Sequence, residues 1–333
     1  MQQPSDNLTP QPTATPMRLT TPDQTRQGRS YVVITPCRDE AKYARTTVES
    51  MIAQTERPTL WLLVDDGSKD DTGKILDEYA AIHPWIRVVH RADRGKRVVG
   101  AGVMEAFYFG ADTIDLNAYD FVCKLDLDLD LPPKYFETLI DRMHDDPRMG
   151  ACSGKPYFLQ DGRAVSEKCG DEHAVGMTKF YRSSCFQQIG GFVRELMWDG
   201  IDTHRSRMLG WKAASWDDEQ LRFIHLRPMG TSQTNWMTGR MRHGRGQYYM
   251  GTGPGYMLVS SLNRMLHPPL FVGGAAMFWG YLKAMFSRCK RYDDPAFRRF
   301  VRAYQRACLL KGKGRATRDL EDLQAMVWRQ PGR

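Results

Sequence analysis

The chain of 333 residues is long enough for one large domain or two ordinary ones, and its content of 41% hydrophobic and 26% charged residues is that of a soluble globular protein. The net charge of +8 favours anionic partners: nucleotide phosphates, nucleic acid or an anionic membrane surface. The seven cysteines are odd in number, scattered and without a C-x-x-C pair, so they indicate neither a zinc site nor a disulfide framework, and they favour a reducing compartment.

Residues 1–30 are rich in Thr, Pro and Gln, contain no apolar stretch and predict a disordered tail without a signal peptide. Strand and helix patterns then alternate, which predicts an α/β fold with a parallel sheet covered on both faces. In such sheets ligands bind beyond the carboxyl ends of the strands. The predicted strands are 31–35, 60–64, 86–90 and 119–125, and the predicted helices are 41–54, 72–82 and 98–110.

Three aspartates, Asp126, Asp128 and Asp130, alternate with leucine directly after an apolar run. Because the side-chain period of a strand is two, this pattern predicts three carboxylates on one face. Their mutual repulsion destabilises a sheet unless a cation is bound, and carboxylates that share a cation with phosphate oxygens are typical of Mg²⁺ or Mn²⁺ sites. A solvated edge strand is the alternative. Asp65 and Asp66 end another predicted strand, so we expect both acidic segments to face one cleft.

A less regular region follows from about residue 150. The apolar run 270–282 precedes residues 288–318, which carry 11 Lys or Arg and two acidic residues. An apolar helix beside a basic one suits a peripheral attachment to anionic lipid. A buried core helix followed by a solvated helix is the other reading, and both stay open at this point.

Three segments of the chain resemble motifs of the inverting family 2 glycosyltransferases, which have the GT-A fold. They are the entry segment Val33-Ile34-Thr35-Pro36-Cys37-Arg38-Asp39-Glu40, the helix end from Ser50 to Gln54, and the segment Asp65-Asp66-Gly67-Ser68-Lys69-Asp70. The family has Asn where this chain has Asp39. Asp126-Leu127-Asp128 falls at the family's metal-binding Asp-x-Asp. The segment from Trp198 to Trp211 resembles the family's acceptor side, with Ile201-Asp202 in place of Glu-Asp.

The resemblance implies Asp126, Asp128 and His225 as ligands of Mg²⁺ or Mn²⁺, and Asp202 as the catalytic base. A core role for His225 and a helix N-cap role for Asp202 are the alternatives. Arg240, Arg242 and Arg245 lie around His243 and two glycines and predict a flexible flap over the phosphates. The residues expected to contact the nucleotide sugar are Pro36, Asp39, Glu40, Asp65, Asp66, Lys96, Asp126, Arg242 and Arg245.

The resemblance therefore implies a mainly parallel GT-A domain at 31–250 (a nucleotide-binding half, 31–150, and an acceptor half, 151–250), followed by a helical, basic extension at 251–333. The implied reaction is a metal-dependent inverting transfer from a nucleotide diphosphate sugar, expected to be a UDP-sugar, to a lipid-linked or oligosaccharide acceptor in exopolysaccharide or cell-envelope synthesis. The expected location is cytoplasmic, peripheral at the inner face of the membrane, with no nucleic-acid partner.

Other enzyme classes fit the sequence less well. Gly100-Ala101-Gly102 begins like a dinucleotide fingerprint, but Glu105 stands at the third glycine, which argues against a dehydrogenase. A sugar nucleotidyltransferase would carry a Gly-rich basic segment after the first strand, where Pro36-Cys37-Arg38-Asp39 stands. A processive polysaccharide synthase would carry several membrane-spanning helices and a Gln-x-x-Arg-Trp segment. The synthase-like and nucleotidyltransferase readings are kept as alternatives.

Overall fold

A computed structural model describes residues 28–95, 100–227, 236–267, 269–326 and 328–329, with the backbone alone at 236. Most of the predicted N-terminal tail and the predicted phosphate contact Lys96 lie outside these residues. The strands are β1 Tyr31–Cys37, β2 Leu60–Asp65, β3 Ile86–His90, β4 Phe121–Leu125, β5 Leu129–Asp130, β6 Met149–Ser153, β7 Lys155–Gln160, β8 Arg163–Ser166, β9 Thr178–Arg182, β10 Lys212–Ser215 and β11 Arg222–His225.

The helices agree with the predicted ones in the first third of the chain and continue to its C-terminal region. They are α1 Ala41–Ile52, α2 Thr72–Ala80, α3 Ala101–Ala111, α4 Tyr135–Asp145, α5 Ser183–Gln188, α6 Trp198–Met208, α7 Trp236–Met250, α8 Pro254–Met265, α9 Val272–Phe286, α10 Pro295–Lys311 and α11 Lys313–Ala325. Among the described residues, no helix combines the length and the apolar character needed to cross a membrane.

The main sheet has seven strands in the order β10-β6-β9-β4-β1-β2-β3. β1 pairs in parallel with both β2 and β4, and β2 pairs in parallel with β3, whereas β9 is antiparallel to β4 and β6. The strands are buried on both faces: Val33 and Leu63 belong to one core cluster, Ile34 and Leu62 to the other. The predicted α/β class with a mainly parallel sheet and C-terminal helices is confirmed.

The predicted strand of three aspartates is wrong in one respect, because the chain changes sheets within it. β4 ends at Leu125, where Asp126 N–H donates to the Met177 carbonyl at 2.8 Å. β5 then pairs antiparallel with β11 in a second sheet of order β5-β11-β7-β8. As a result Asp128 is buried and Asp130 is exposed, so the three carboxylates do not share one face.

The C-terminal helices pack on the main sheet through α6. Ile201 of α6 forms one cluster with Met250 of α7 and with Phe297 and Val301 of α10. α7 also packs closely along α9: a Cβ on Gly280 would lie 2.1 Å from the Met241 carbonyl oxygen, so only glycine permits this helix contact. The last helix of the predicted domain 31–250 is therefore integrated with the C-terminal extension.

Candidate active site

The carboxyl ends of β1, β2 and β4 lie at one edge of the sheet because these three strands are parallel. Two arginines connect the loops at this edge. Arg38 Nη1 donates to the Asp66 carbonyl at 2.8 Å, and Arg227 Nη2 donates to Glu40 at 2.9 Å and to Asp128 at 2.6 Å. Glu40 and Asp128 are 187 and 99 residues from Arg227 in sequence, so only the tertiary fold brings them together.

Asp65 is the last residue of β2 and Asp66 follows it; both are buried. Asp65 accepts from Ser68 N–H at 3.0 Å and lies 3.0 Å from His90 Nδ1. Burial and Asp77 also act on His90, but the hydrogen bond to Asp65 is the largest influence and raises its pKa. Asp66 is paired with Arg91 and Arg94. Both side chains thus hold the loops that follow β2 and β3 in place.

Asp39 joins the loop after β1 to the loop after β2. Its carboxylate accepts from Lys69 N–H at 2.8 Å, and its own N–H donates to the Ser68 hydroxyl at 3.0 Å. Its φ of 54° is a left-handed conformation that Asp and Asn adopt more readily than most residues. Asn, which the family has here, would keep both properties. Pro36 lies in β1, opposite Val64 of β2.

Asp128 and His225 are brought together as predicted. His225 Nε2 lies 3.7 Å from Asp128 Oδ2, and its Nδ1 lies 3.0 Å from Glu167. Burial lowers the pKa of His225, but its bonds to Asp128 and Glu167 outweigh burial and raise it to about 9. Burial raises the pKa of Asp128, but His225 and Arg227 outweigh burial, so it stays below its usual value. The carboxylates of Asp128 and Glu167 thus favour the positively charged forms of the side chains beside them.

The third predicted ligand, Asp126, is paired with Lys124 through Oδ1. Within the described ranges no three His, Cys, Asp or Glu side chains are gathered as a ready-made metal site. One atom still lacks a partner there: Asp128 Oδ1 is buried without a hydrogen bond among the described residues. A buried carboxylate oxygen without a partner costs free energy, and a hard cation satisfies it. Asp128 and His225 therefore fit a Mn²⁺ or Mg²⁺ ion whose other ligands are phosphate or water.

Asp202 does not cap a helix. It is the fifth residue of α6, 1% exposed, and Lys179 Nζ lies 2.5 Å from its Oδ1 and 2.7 Å from its Oδ2. The Tyr181 hydroxyl also donates to it. Burial raises the pKa of Asp202, opposed by Lys179 and Tyr181. With both oxygens engaged inside the core, Asp202 presents no open face to an acceptor.

A different carboxylate on α6 is exposed. Asp199 lies in the first turn of the helix, and its Oδ2 is 3.4 Å from the position of a Cβ built on Gly176. The Gly176 carbonyl accepts from Lys124, which also holds Asp126, so Asp199 and the Asp-x-Asp segment are close.

The sequence analysis missed Asp199, although the helical period could have identified it. Asp202 follows Trp198 by four residues and therefore shares its buried face. Lys124 and Lys179, each inside a buried strand, were missed as well.

The predicted flap is a helix. Arg240, Arg242, His243 and Arg245 all lie in α7, which packs along α9. The two glycines predicted to make this segment flexible include Gly244, where a Cβ would lie 1.8 Å from the Met277 carbonyl oxygen, so this glycine serves helix packing instead. Arg94, outside this helix, is paired with Asp66 and Glu105.

Residues 32–168 match the family model described as Glycosyl transferase family 2. The chain is 28% identical over 132 residues to an uncharacterized glycosyltransferase, YibD, of Escherichia coli K12, which covers 39% of this chain and 35% of that protein. It is 25% identical over 182 residues to a glucosyl-dolichyl phosphate glucuronosyltransferase of Haloferax volcanii, covering 49% and 55%. The chain spans between 35% and 55% of the length of the first curated relatives that it matches.

A solved structure of GalNAc-T7 with UDP, GalNAc and Mn²⁺ superposes with a TM-score of 0.51 at 14% identity, covering 81% of this chain and 55% of that one. At this identity the likeness concerns the fold. The family match covers β1 to β8, which include the loops that carry Asp39, Asp66 and Asp128. Residues 32–168 thus match glycosyl transferase family 2, and the chain has a mixed α/β fold of the GT-A type.

Proposed function

We propose that this chain is a metal-dependent, inverting glycosyltransferase that moves a sugar from a nucleotide diphosphate sugar to an acceptor hydroxyl. The observation that carries the proposal is the buried, unpartnered Asp128 Oδ1 beside His225, at the sheet edge where the loops of Glu40 and Asp66 meet. The family match of residues 32–168 supports the reaction class. The relative from Haloferax volcanii, named for a glucosyl-dolichyl phosphate, supports a lipid-linked acceptor. A role in envelope glycan or exopolysaccharide synthesis is part of the same proposal.

The nucleotide end of the donor is proposed to lie along the loops after β1 and β2. Asp65 and Asp66 are buried, and Asp39 ties the two loops together, so the surface formed by Pro36, Asp39 and Glu40 is rigid before the donor arrives. A rigid site loses less conformational entropy on binding. A UDP-sugar is the proposed donor. Lys96, Arg242 and Arg245 stay proposals as phosphate contacts.

Asp128 and His225 are the proposed protein ligands of Mn²⁺ or Mg²⁺, with Asp126 beside them. When bound, the cation would offset the negative charge that grows on the diphosphate leaving group. Glu167 orients His225 through Nδ1, and Lys124 orients Asp126, so both side chains are held before the donor binds. The solved structure of GalNAc-T7, which contains Mn²⁺, supports this type of site.

Inversion requires a base on the acceptor side of the sugar, opposite the diphosphate. We propose Asp199 for this role rather than Asp202. Asp199 is exposed on the first turn of α6, whereas Asp202 is buried and held by Lys179. Lys179 also donates to the Asp199 carbonyl at 2.7 Å. The buried ion pair thus fixes the backbone of the base, and Asp199 accepts the proton of the acceptor hydroxyl.

The test is a screen of donor hydrolysis and of transfer to lipid-linked and oligosaccharide acceptors across UDP- and GDP-sugars, with Mn²⁺, with Mg²⁺ and with EDTA. We expect turnover of one UDP-sugar that EDTA abolishes and a divalent cation restores. NMR of the first product should show the anomeric configuration opposite to that of the donor. Turnover that is unchanged in EDTA would contradict the metal dependence, and a retained configuration would contradict the role of a base.

A further inference from the structure

The exposed apolar side chains of this protein are concentrated in one segment. Among the described residues, 19 large hydrophobic side chains are exposed, and nine of them lie between positions 258 and 286. Single exposed apolar residues are ordinary, but a concentration of this kind marks an interaction surface. We call these residues, from α8, α9 and the turn between them, the α8–α9 face: Leu258, Val259, Leu262, Leu266, Leu270, Phe271, Val272, Trp279 and Phe286.

The α8–α9 face follows the helical period. Leu258, Leu262 and Leu266 are spaced by four residues on α8, and Val272, Trp279 and Phe286 are spaced by seven on α9, so each set lies along one side of its helix. The opposite sides are packed inside the protein, for example through Met257 of α8 and Met277 and Tyr281 of α9. The turn adds two exposed side chains, Leu270 and Phe271. Both helices thus have a second, exposed apolar side that has no partner among the described residues.

The segment that carries this face has charged side chains of a single sign. From residue 220 to residue 292 the chain contains ten Lys or Arg and no Asp or Glu. Lys283, Arg288 and Lys290 are exposed on and directly after α9. An apolar face on a segment whose charged side chains are all cations suits a partner that combines an apolar interior with a negatively charged surface.

We propose that the α8–α9 face binds the surface of an anionic lipid bilayer, with Leu266, Phe271 and Trp279 inserted among the acyl chains and the Lys and Arg side chains at the headgroups. A second copy of the chain is a poorer partner, because a symmetric dimer through this face would bring two acid-free, basic surfaces together. Trp suits this role, because its ring is apolar at one side and polar at the other.

This surface is one helix away from the proposed base. α9 packs on α7, and Met250 at the end of α7 packs on Ile201 in the same helix as Asp199. A bilayer at the α8–α9 face would therefore lie on the acceptor side of the site. Membrane binding itself does not rest on the proposed reaction and is measured without donor or acceptor.

The experiment is flotation of the full chain with vesicles of phosphatidylcholine alone and with vesicles that also contain phosphatidylglycerol. We expect binding to the anionic vesicles to exceed binding to the neutral ones by about tenfold or more at low salt, and to weaken as salt is added. The triple variant Leu266→Ser, Phe271→Ser, Trp279→Ser should lose at least about tenfold in partitioning. Lys283→Gln with Lys290→Gln should weaken binding to anionic vesicles only.

Matched controls use equally exposed residues elsewhere: Ile82→Ser, Leu310→Ser, Met326→Ser for the apolar variant, and Lys74→Gln with Lys134→Gln for the cationic one. These should bind vesicles as the original chain does. Equal binding of the original chain to both vesicle types overturns the proposal, and this comparison decides the matter even if a variant does not fold. Unchanged flotation of the folded triple variant also overturns the proposal. So does a third outcome, in which the original chain binds no vesicles but is a dimer, and the triple variant is a monomer.

Discussion

Lys124 of β4 and Lys179 of β9 lie directly opposite each other in the antiparallel ladder, and both ammonium groups lie over the ring of Trp198, at 5.4 and 5.6 Å from its centroid. Like charges opposite each other destabilise a sheet. Here each lysine has its own carboxylate, Asp126 for Lys124 and Asp202 for Lys179. The arrangement links the proposed metal side of the site to the helix that carries the proposed base.

The Lys179–Asp202 pair is fully buried, so each charge depends on the other. We expect Lys179→Met to lower the free energy of unfolding by about 3–5 kcal/mol, because it leaves Asp202 charged and unpaired in the core. Lys179→Met combined with Asp202→Leu should be more stable than Lys179→Met alone. Urea unfolding of the two single variants and the double variant measures this coupling. Strictly additive losses would contradict an ion pair of this kind.

The choice of base is tested by two substitutions on one helix. We expect Asp199→Asn to depress the rate of transfer by about a hundredfold or more while donor binding is retained, as the loss of a general base does. Asp202→Asn should mainly lower stability, with a milder loss of rate per folded molecule. The measurement is kcat together with the donor Kd and an unfolding curve for each variant. If the Asp202→Asn variant is folded but inactive and the Asp199→Asn variant is fully active, Asp202 is the base and Asp199 is not.

The metal assignment predicts a difference between two aspartates of the same motif. Substituting a residue that only supports a metal ligand typically weakens metal binding by about 10–100-fold. Asp128→Ala removes a proposed ligand itself, so it should weaken Mn²⁺ binding in the presence of UDP by more than this. Asp130→Ala, on an exposed side chain, should leave it unchanged. Electron paramagnetic resonance of free Mn²⁺ gives both affinities. If the two variants bind Mn²⁺ equally well, Asp128 is not a ligand.

Because of His225, we expect Mn²⁺ binding at this site to release a proton. With a pKa of about 9 it carries a proton near neutral pH, and it must release that proton to bind a cation. We therefore expect about one proton to be released for each Mn²⁺ bound near pH 7.5, measured in weakly buffered solution. His225→Gln should abolish this release and weaken binding. Release that persists in His225→Gln would assign the proton to another group.

Because of Glu40, we expect the free energy of unfolding to fall as the pH rises. Burial, the nearest acidic neighbour Asp128 and the opposing Arg227 together place its pKa at about 7, above the usual 4.5. The native state then binds more protons than the unfolded state between these values, so the free energy of unfolding falls across this window. Glu40→Gln should remove that loss and stabilise the metal-free protein above pH 7 by at most about 3 kcal/mol.

Urea unfolding in EDTA at about pH 5 and about pH 8 checks this, with the exposed Glu78→Gln as the control. A gain of stability that is the same at both pH values would show that Glu40 is ionised throughout.

Much of the nucleotide-binding half is visible in the sequence. β3 has the predicted bounds, β2 is one residue longer than predicted, and β1, α1 and α2 differ from the predicted ranges by two residues at one end. These elements are short, strongly periodic and bounded by turn residues, so local propensity and burial agree. Asp65 and Asp66 were placed correctly at the end of a strand for the same reason.

The acidic motif and α6 show where local pattern fails. Alternation predicts one face for Asp126, Asp128 and Asp130, but the chain leaves the first sheet at Asp126 because Met177 and β11 supply its next hydrogen bonds. Asp202 is predicted as a base from its place in a motif, and only the fold shows that it is buried and paired with Lys179 of β9. Neither partner is near in sequence, so no local window contains the information.

The sequence by itself determined the alternation of strands and helices, the edge of the sheet where acidic loops gather, and the acid-free, apolar character of residues 220–292, because these depend on residue type and short-range period. The tertiary structure decided which carboxylate is buried, which is exposed and which has an oxygen without a partner. Burial and ion pairing are set by side chains that the fold brings together from distant positions, as Arg227 is brought to Glu40 and Asp128.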